Sequence, residues 1–433
     1  FVADGGATEI PESAICPVDG LESLSELQPY DAAGRNAMHQ CVVIKLNGGL
    51  GTSMGLSRAK SLLEVRPGMS FLDMIAQQIL SQRAAWASPI PFLLMNSYRT
   101  RDDSLAALSK YSGLTTDLPL DFVQNKVPRI DADTWEPVTW AEDPSLEWCP
   151  PGHGDLYVAL KCSGMLDRLL ARNVRYAFVS NADNLGAVLD SRILGWFAEN
   201  QVPFAMEVAH RTHADRKGGH LALRDGQLIL REVAQCPVQE RSAFEDVTRY
   251  GYFNTNNLWL DLQALAMAFE QHPLGLPLPV IRNHKRVSST DGSSPACYQL
   301  ETAMGSAIEC FEGAQAIAVP RDRFSPVKTT NDLLAVWSDA FELTSDFRLV
   351  AADPAAYADC VIDLDPTHFG HVGQLADRFA DGPPSLIGCR RFAVTGDYSF
   401  GAGVTVAGDV RLANEGDGQI RVAAGEVLGQ SAD

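Results

Sequence analysis

The sequence predicts an α/β protein: a doubly wound sheet, mixed but mainly parallel, with helices on both faces and a small C-terminal unit of left-handed β-helix type. Three observations predict it. Short apolar runs alternate with stretches of helical periodicity between residues 41 and 180. The first apolar run ends in a turn with three glycines in four positions, Gly48, Gly49 and Gly51. Beyond Thr344 the pattern changes, first to prolines and then to brief apolar pairs separated by Gly and Asp.

Taken in order, residues 1–38 are polar and loop-like, with Pro11, Pro17 and a short helix near 21–27, and read as an N-terminal extension packed on the main domain. Cys41-Val42-Val43-Ile44 is a buried strand. Apolar residues at helical spacing over 69–83 predict a helix, 91–95 a strand, Asp102-Asp103 the start of a second helix, and 120–124 a third strand. Strand, helix, strand, helix, strand is the pattern of a parallel sheet covered on both faces. Residues 125–149, rich in Pro, Asp and Trp, form an excursion with a small hairpin. A prolyl and glycine turn at 150–154 leads into a helix over 156–173, and 176–180 is a strand that ends in Asn181-Ala182-Asp183-Asn184.

Further on, 204–208 is a strand, and Arg224-Asp225-Gly226 between two apolar runs signals a hairpin. The run 252–260 encloses Phe253-Asn254-Thr255-Asn256-Asn257. Residues 271–298 read as a surface loop, 299–311 as a helix with Glu301 near its start, 316–320 as a strand and 331–341 as a helix. The apolar pairs Val404/Val406, Val410/Leu412, Ile420/Val422 and Val427/Leu428 suit about two coils of a β-helix, a size that fits docking or homo-oligomerisation better than catalysis. The domain organisation is therefore 1–38, 39–343 and 344–433.

Composition narrows the function. Of 433 residues, 46% are hydrophobic and 21% charged, ordinary for a globular protein with a large core. A net charge of −19 argues against nucleic acid or an anionic membrane surface as the main partner, and makes any phosphate site a local basic exception. Nine cysteines without a C-x-x-C pair read as free thiols in a reducing cytosol, so a cytoplasmic location is expected. No apolar run approaches the roughly 18 residues of a membrane span, and no secretory leader is visible.

Four stretches carry chemistry. The loop 48–51 offers backbone N–H groups behind a strand, with Lys60 supplying positive charge, which reads as a nucleotide phosphate site. It lacks the GKS or GKT ending of a P-loop and does not fit G-x-G-x-x-G. Asp183, at a strand's carboxyl end, is placed either to hold Mg²⁺ or to cap the turn that follows. The amides of 253–257 suit a polyhydroxylated ligand or, more plainly, an edge strand. The basic residues of 321–330 are an anion site or a solvated turn.

Together these motifs resemble one family, the eukaryotic-type UTP–glucose-1-phosphate uridylyltransferases, over about residues 42–334. The resemblance rests on KLNGGLGTSMG at 45–55, NSYRTRDDS at 96–104, PPGHGDLY at 150–157, FVSNADNLGA at 178–187, KGG at 217–219, FNTNNLW at 253–259, QLETAMGSAIE at 299–309 and PVKTTNDLL at 326–334. It implies a Rossmann-like nucleotide-diphospho-sugar transferase fold and Mg²⁺-dependent formation of UDP-glucose and pyrophosphate from UTP and glucose 1-phosphate. It further implies Lys60 and Lys328 as catalytic residues, and Gly48, Gly49, Leu50, Gly51, Gln124, Gly152 and His153 as nucleotide contacts. Asn181, Gly218, Glu232, Asn254 and Asn256 are implied as sugar contacts and Asp183 as the metal ligand. The family loop ends in Pro-Lys-Ser, whereas this chain has Ala59-Lys60-Ser61 after Arg58. The competing readings are a UTP-dependent pyrophosphorylase for another sugar 1-phosphate, such as that of N-acetylglucosamine, a catalytically silent nucleotide-sugar-binding protein, and a chiefly assembling protein.

Overall fold

The computed structural model describes residues 9–212, 215–288, 291–357 and 360–429. Its centre is a sheet of nine strands, numbered here in chain order: β1 (Cys41–Asn47), β2 (Phe92–Asn96), β3 (Asp121–Val123), β4 (Tyr176–Asn181), β5 (Phe204–His210), β6 (His220–Arg224), β7 (Gln227–Arg231), β8 (Tyr252–Asp261) and β9 (Gln315–Ala318). They lie in the order β7-β6-β8-β4-β1-β2-β3, with β5 pairing to β8 and β9.

Strands β3, β2, β1 and β4 run parallel, and the chain order reverses between β1 and β4. That reversal opens a crevice at the carboxyl ends of the two strands, where α/β sheets bind ligands. The apolar runs make this half doubly wound. Val43, Phe92, Leu94 and Phe178 face one apolar layer, while Val42, Ile44, Leu93, Met95 and Val179 face the other. The helix Phe71–Trp86, started by a reciprocal Ser70–Asp73 cap, covers the first layer. The helices Leu156–Cys162 and Met165–Leu170 cover the second.

The expectation of a mainly parallel sheet holds for that half alone. Of the eight pairings, β1–β2, β1–β4, β2–β3 and β5–β9 are parallel and the other four are antiparallel. Strand β8 runs back between β4 and β5, and Asp225 and Gly226 (φ 52° and 80°) close a tight hairpin between β6 and β7. Two other expectations are corrected. Residues 280–286 and 296–302 form an antiparallel strand pair rather than a loop and a helix start. The predicted helix over 156–173 is broken at Gly164, which adopts φ 71°.

The N-terminal segment lies against the sheet. Ile10 and Ile15 contact Ala222, Ile229 and Tyr250, and buried Leu24 and Leu27 join the main apolar layer. The C-terminal residues form short parallel pairs: 361–364 with 391–394, 391–395 with 409–413, 398–400 with 420–422, and 405–406 with 427–428. Their inward residues, including Phe392, Phe400, Val406 and Val422, are buried.

Candidate functional site

The glycine-rich turn folds back on itself. Gly51 and Gly55 take φ 68° and 75°, and Lys60 donates its backbone N–H to Gly49 O at 3.0 Å, which brings the Lys60 side chain under the loop. A Cβ on Gly48 would lie 2.6 Å from Gln124 Nε2, so a bare backbone lets Gln124 close over the turn. Behind it, Asn47 Nδ2 donates to Asn96 Oδ1 and to Ser104 Oγ, both at 2.8 Å. Asn96 in turn donates to Asp121, which also accepts Arg101 Nε at 2.8 Å. These bonds join the carboxyl ends of β1 and β2 to Asp121, the first residue of β3, and sequence reasoning did not single them out.

A cavity of about 340 Å³ opens over this platform. Gly48, Gly49, Lys60, Gln124, Gly152, His153, Asn181 and Asp183 line it, with Glu301 and the apolar Leu46 and Met95. Lys60 Nζ meets Asp183 Oδ2 at 2.5 Å, the two side chains only 16% and 19% exposed. Gly152 (φ 83°) leaves no room for a side chain, since a Cβ would lie 2.5 Å from Thr302 O. The strand Ala296–Thr302 thus backs the prolyl turn and brings Glu301 to the cavity wall.

His153 lines this cavity and a second one of about 450 Å³. Its Nδ1 accepts the Met304 N–H at 3.0 Å. Burial lowers its pKa to about 4, so the ring is neutral at pH 7 and carries its proton on Nε2. The second cavity holds Gly218, Glu232, Asn254, Asn256 and Lys328, with Lys217, Phe253 and Phe324. Asn254 Nδ2 donates to Asn256 Oδ1 at 2.9 Å, and Asn254 Oδ1 accepts the Asn256 N–H at 2.8 Å. Asn256 has φ 59° beside an irregularity in the β5–β8 register, which aims its amide out of the ladder. Burial raises the Glu232 pKa, and the Lys328 charge opposes that shift. A Cβ on Gly219 would lie 2.7 Å from Glu232 Oε2, so glycine makes room for the carboxyl.

The structure therefore brings the predicted residues into two adjoining cavities. Asn181, implied as a sugar contact, lines the first cavity rather than the second. Leu50 and Gly51 line neither; Gly51 shapes the loop, where a Cβ would meet Leu56 and Lys60. Asp183 is a single carboxylate, and no group of three or more His, Cys, Asp or Glu stands ready to hold a metal ion among the described residues. Sequence reasoning did not place Glu301 in a cavity, and it missed Lys45. Lys45 is 2% exposed, and burial together with the Arg323 charge lowers its pKa to about 7. A lysine inside the apolar run 41–46 was the available signal. Among the described residues no helix is long and apolar enough to cross a membrane.

The chain matches a family model described as UTP--glucose-1-phosphate uridylyltransferase over residues 3–407. It is 40% identical over 420 residues to the UTP--glucose-1-phosphate uridylyltransferase of Solanum tuberosum, covering 96% of this chain and 85% of that one. The enzyme of the same name from Saccharomyces cerevisiae is 39% identical over 392 residues, covering 90% and 77%. Among solved structures, the UDP-glucose pyrophosphorylase of Leishmania major superimposes with a TM-score of 0.92 at 44% identity, over 99% of this chain and 92% of that one. A point variant of that protein, solved in complex with UDP-glucose, gives the same TM-score, identity and coverage.

Proposed function

This chain belongs to the UTP–glucose-1-phosphate uridylyltransferase family and is a nucleotidyltransferase that forms UDP-glucose and pyrophosphate; from that premise we infer which of its residues carry the reaction. The observation that carries the reading is the meeting of the two cavities at His153, with Lys60 and Asp183 on one side and Glu232, Asn254 and Lys328 on the other. The first takes UTP and the second the glucosyl group.

A phosphate oxygen of glucose 1-phosphate attacks the α-phosphorus of UTP. The new P–O bond forms as the bond to the β-phosphate breaks, and pyrophosphate leaves with the electron pair. The nucleophile is already ionised near neutral pH, so no side chain has to remove a proton. The obstacle is the approach of two polyanions, and the work of the site is positioning and charge neutralisation. Lys60 holds the triphosphate, and Lys328 faces the sugar phosphate and α-phosphate where charge builds. The N–H groups of the loop from Gly48 cradle the phosphates. Gln124 and the turn at Gly152 frame the uracil. Neutral His153 donates from Nε2 at the junction. Asn181 faces the ribose, while Gly218, Glu232, Asn254 and Asn256 pair with glucose hydroxyls.

The lone carboxylate of Asp183 on the wall of the first cavity suits Mg²⁺, which takes one or two carboxylates and completes its shell with phosphate oxygens and water. Asp183 would hold it, and when bound it would neutralise phosphate charge. In this reading the C-terminal parallel strands are coils of a left-handed β-helix, and residues 344–433 form a docking or oligomerisation unit beside a catalytic unit at 39–343 and an N-terminal extension at 1–38. Free thiols at all nine cysteines support a reducing, cytoplasmic setting, and the acidic net charge supports small-molecule rather than nucleic-acid or membrane partners.

The test is pyrophosphate release from UTP plus glucose 1-phosphate, with Mg²⁺ and with EDTA, beside wells of N-acetylglucosamine 1-phosphate, galactose 1-phosphate and dTTP. Metal-dependent release confined to UTP and glucose 1-phosphate is expected. Equal release with another sugar or nucleotide would overturn the specificity, and equal release in EDTA would overturn the metal.

A further inference from the structure

Beneath the two cavities lies a buried polar network that the reaction scheme above does not use. Glu207, on β5, is 0% exposed. Its Oε2 accepts Arg323 Nε at 2.8 Å and Asn257 Nδ2 at 3.0 Å. Its Oε1 accepts Arg323 Nη2 at 2.7 Å and Trp259 Nε1 at 3.0 Å. Arg323 Nη2 also donates to Val188 O at 2.9 Å, and Lys45 Nζ donates to the preceding carbonyl, Ala187 O, at 2.6 Å. Two buried basic side chains thus grip successive carbonyls of the segment that follows β4, the segment that carries Asp183.

The same network ties that segment to the one carrying Lys328. Asn184, 1% exposed, donates from Nδ2 to Arg323 O at 3.0 Å and accepts the Ser325 N–H on Oδ1 at 3.0 Å. Val327 donates its N–H to Asp183 O at 3.2 Å, one residue before Lys328. A Cβ on Gly186 would lie 2.1 Å from Asp322 O, so the two backbones touch. Asp183 and Lys328 are therefore held by one set of bonds, although 145 positions separate them in the sequence.

We propose that Glu207, Arg323 and Asn184 form a positioning clasp for the reaction, which sets Lys328 at a fixed place relative to Asp183. The proposal rests on the reading of Lys328 and Asp183 given above. A buried ion pair is weak evidence for stability, because well-packed apolar residues of similar volume often serve as well or better. What a forked Arg–carboxylate pair with every lone pair engaged does supply is a defined geometry. Geometry matters here, because a misplacement of about 1 Å at a reacting centre can cost roughly 100-fold in rate.

The experiment is a double-mutant cycle on the full chain with Asn184→Ala, Lys328→Ala and the double variant. It reads kcat, KM for both substrates, UDP-glucose affinity by calorimetry and the melting temperature. Asn184→Ala is expected to lower kcat 10- to 100-fold while UDP-glucose affinity and the KM for UTP change less than threefold. In the Lys328→Ala background the same change is expected to cost less than threefold, because the clasp acts through that lysine. Arg323→Lys, which keeps the cation but loses the fork, is expected to repeat the pattern. Full multiplication of the two losses would overturn the clasp while leaving Lys328 in place. Near-normal turnover of Lys328→Ala would overturn both the Lys328 assignment and the clasp. Failure of both Asn184→Ala and Arg323→Lys to fold would assign the network to stability and overturn the proposal.

Discussion

Lys60 Nζ lies 2.5 Å from Asp183 Oδ2, joining the glycine-rich loop to the segment after β4 in the wall of the first cavity. Both side chains are mostly buried, so the contact is screened less than a surface pair. In the proposed reaction the two groups have different tasks: Lys60 holds the triphosphate and Asp183 the metal. Replacing Asp183 by Asn keeps its size and removes its charge. The expected result is at least a tenfold rise in the Mg²⁺ concentration for half-maximal pyrophosphate release, together with a loss of turnover. An unchanged Mg²⁺ titration would remove Asp183 from the metal site. Lys60→Ala should act mainly on the KM for UTP.

Lys328 faces the second cavity, its Nζ 5.6 Å from the Phe324 ring centroid. In the proposed reaction its charge acts where phosphate charge builds in the transition state. Removing one preorganised group of this kind typically costs about 2.7–4 kcal/mol. Lys328→Ala should therefore lower kcat by about 10²–10³ while UDP-glucose still binds. The check is steady-state kinetics beside calorimetry; a parallel loss of affinity and turnover would make Lys328 a binding residue only.

Two glycines in the first cavity should respond oppositely to a single methyl group. A Cβ on Gly49 meets nothing within 4 Å, whereas one on Gly152 meets the Thr302 backbone at 2.5 Å at a residue with φ 83°. Gly49→Ala should leave the melting temperature within about 2 °C and raise the KM for UTP, because only bound phosphate competes for that space. Gly152→Ala should lower the melting temperature as well, by distorting the turn against the strand Ala296–Thr302. A thermal melt and a UTP titration of each variant decide the matter.

Much of this site could be read from the chain because its signals are local. The runs at β1, β2 and β4 are apolar on both faces, as strands between two helical layers must be. The turn at Gly48 and the carboxylate at Asp183 directly follow such strands. The strand Val280–Arg286 escaped notice because it is half-exposed and polar, so no apolar alternation marks it. Its pairing holds residues 296–302 extended despite helix-compatible composition, and that pairing is what carries Glu301 to the cavity. The Glu207–Arg323 clasp joins residues 116 positions apart, and nothing in either local sequence marks the other as its partner.

Acid stability should report on His220. Its ring is fully buried, with its centroid 3.9 Å from that of Tyr250, and its Nε2 has no hydrogen-bond partner among the described residues. Burial, with Arg211 and Arg231 nearby, lowers its pKa to about 3 from the usual 6.5. Between those values the unfolded chain binds a proton that the folded chain refuses. The stability contribution is thus complete above pH 6.5 and declines as pH falls towards 3, by at most about 1.4 kcal/mol per pH unit for one group. His220→Phe keeps an aromatic ring and removes the titration. Melting temperatures from pH 8 to pH 4 should fall less steeply for the variant, and identical slopes would exclude His220.

Ala59 is the departure from the family loop, and its backbone tells what the departure does. Ala59 adopts φ −52° and ψ 127°, within the range that proline imposes. No described residue accepts its backbone N–H, so a proline there would sacrifice no hydrogen bond. The neighbouring bonds that shape the loop, Lys60 N–H to Gly49 O and Leu62 N–H to Ala59 O, do not involve that group as donor. Ala59→Pro should therefore leave the folded loop as it is and restrict the unfolded chain. At a compatible site that effect stabilises by about 0.4–1 kcal/mol. The same restriction should preorganise Lys60, which follows directly, and lower the KM for UTP slightly. Denaturant melts and a UTP titration test both parts. A loss of stability would mean that the buried Ala59 site has no room for the pyrrolidine ring, and an unchanged KM with the expected gain in stability would show that Lys60 is already held by Asp183.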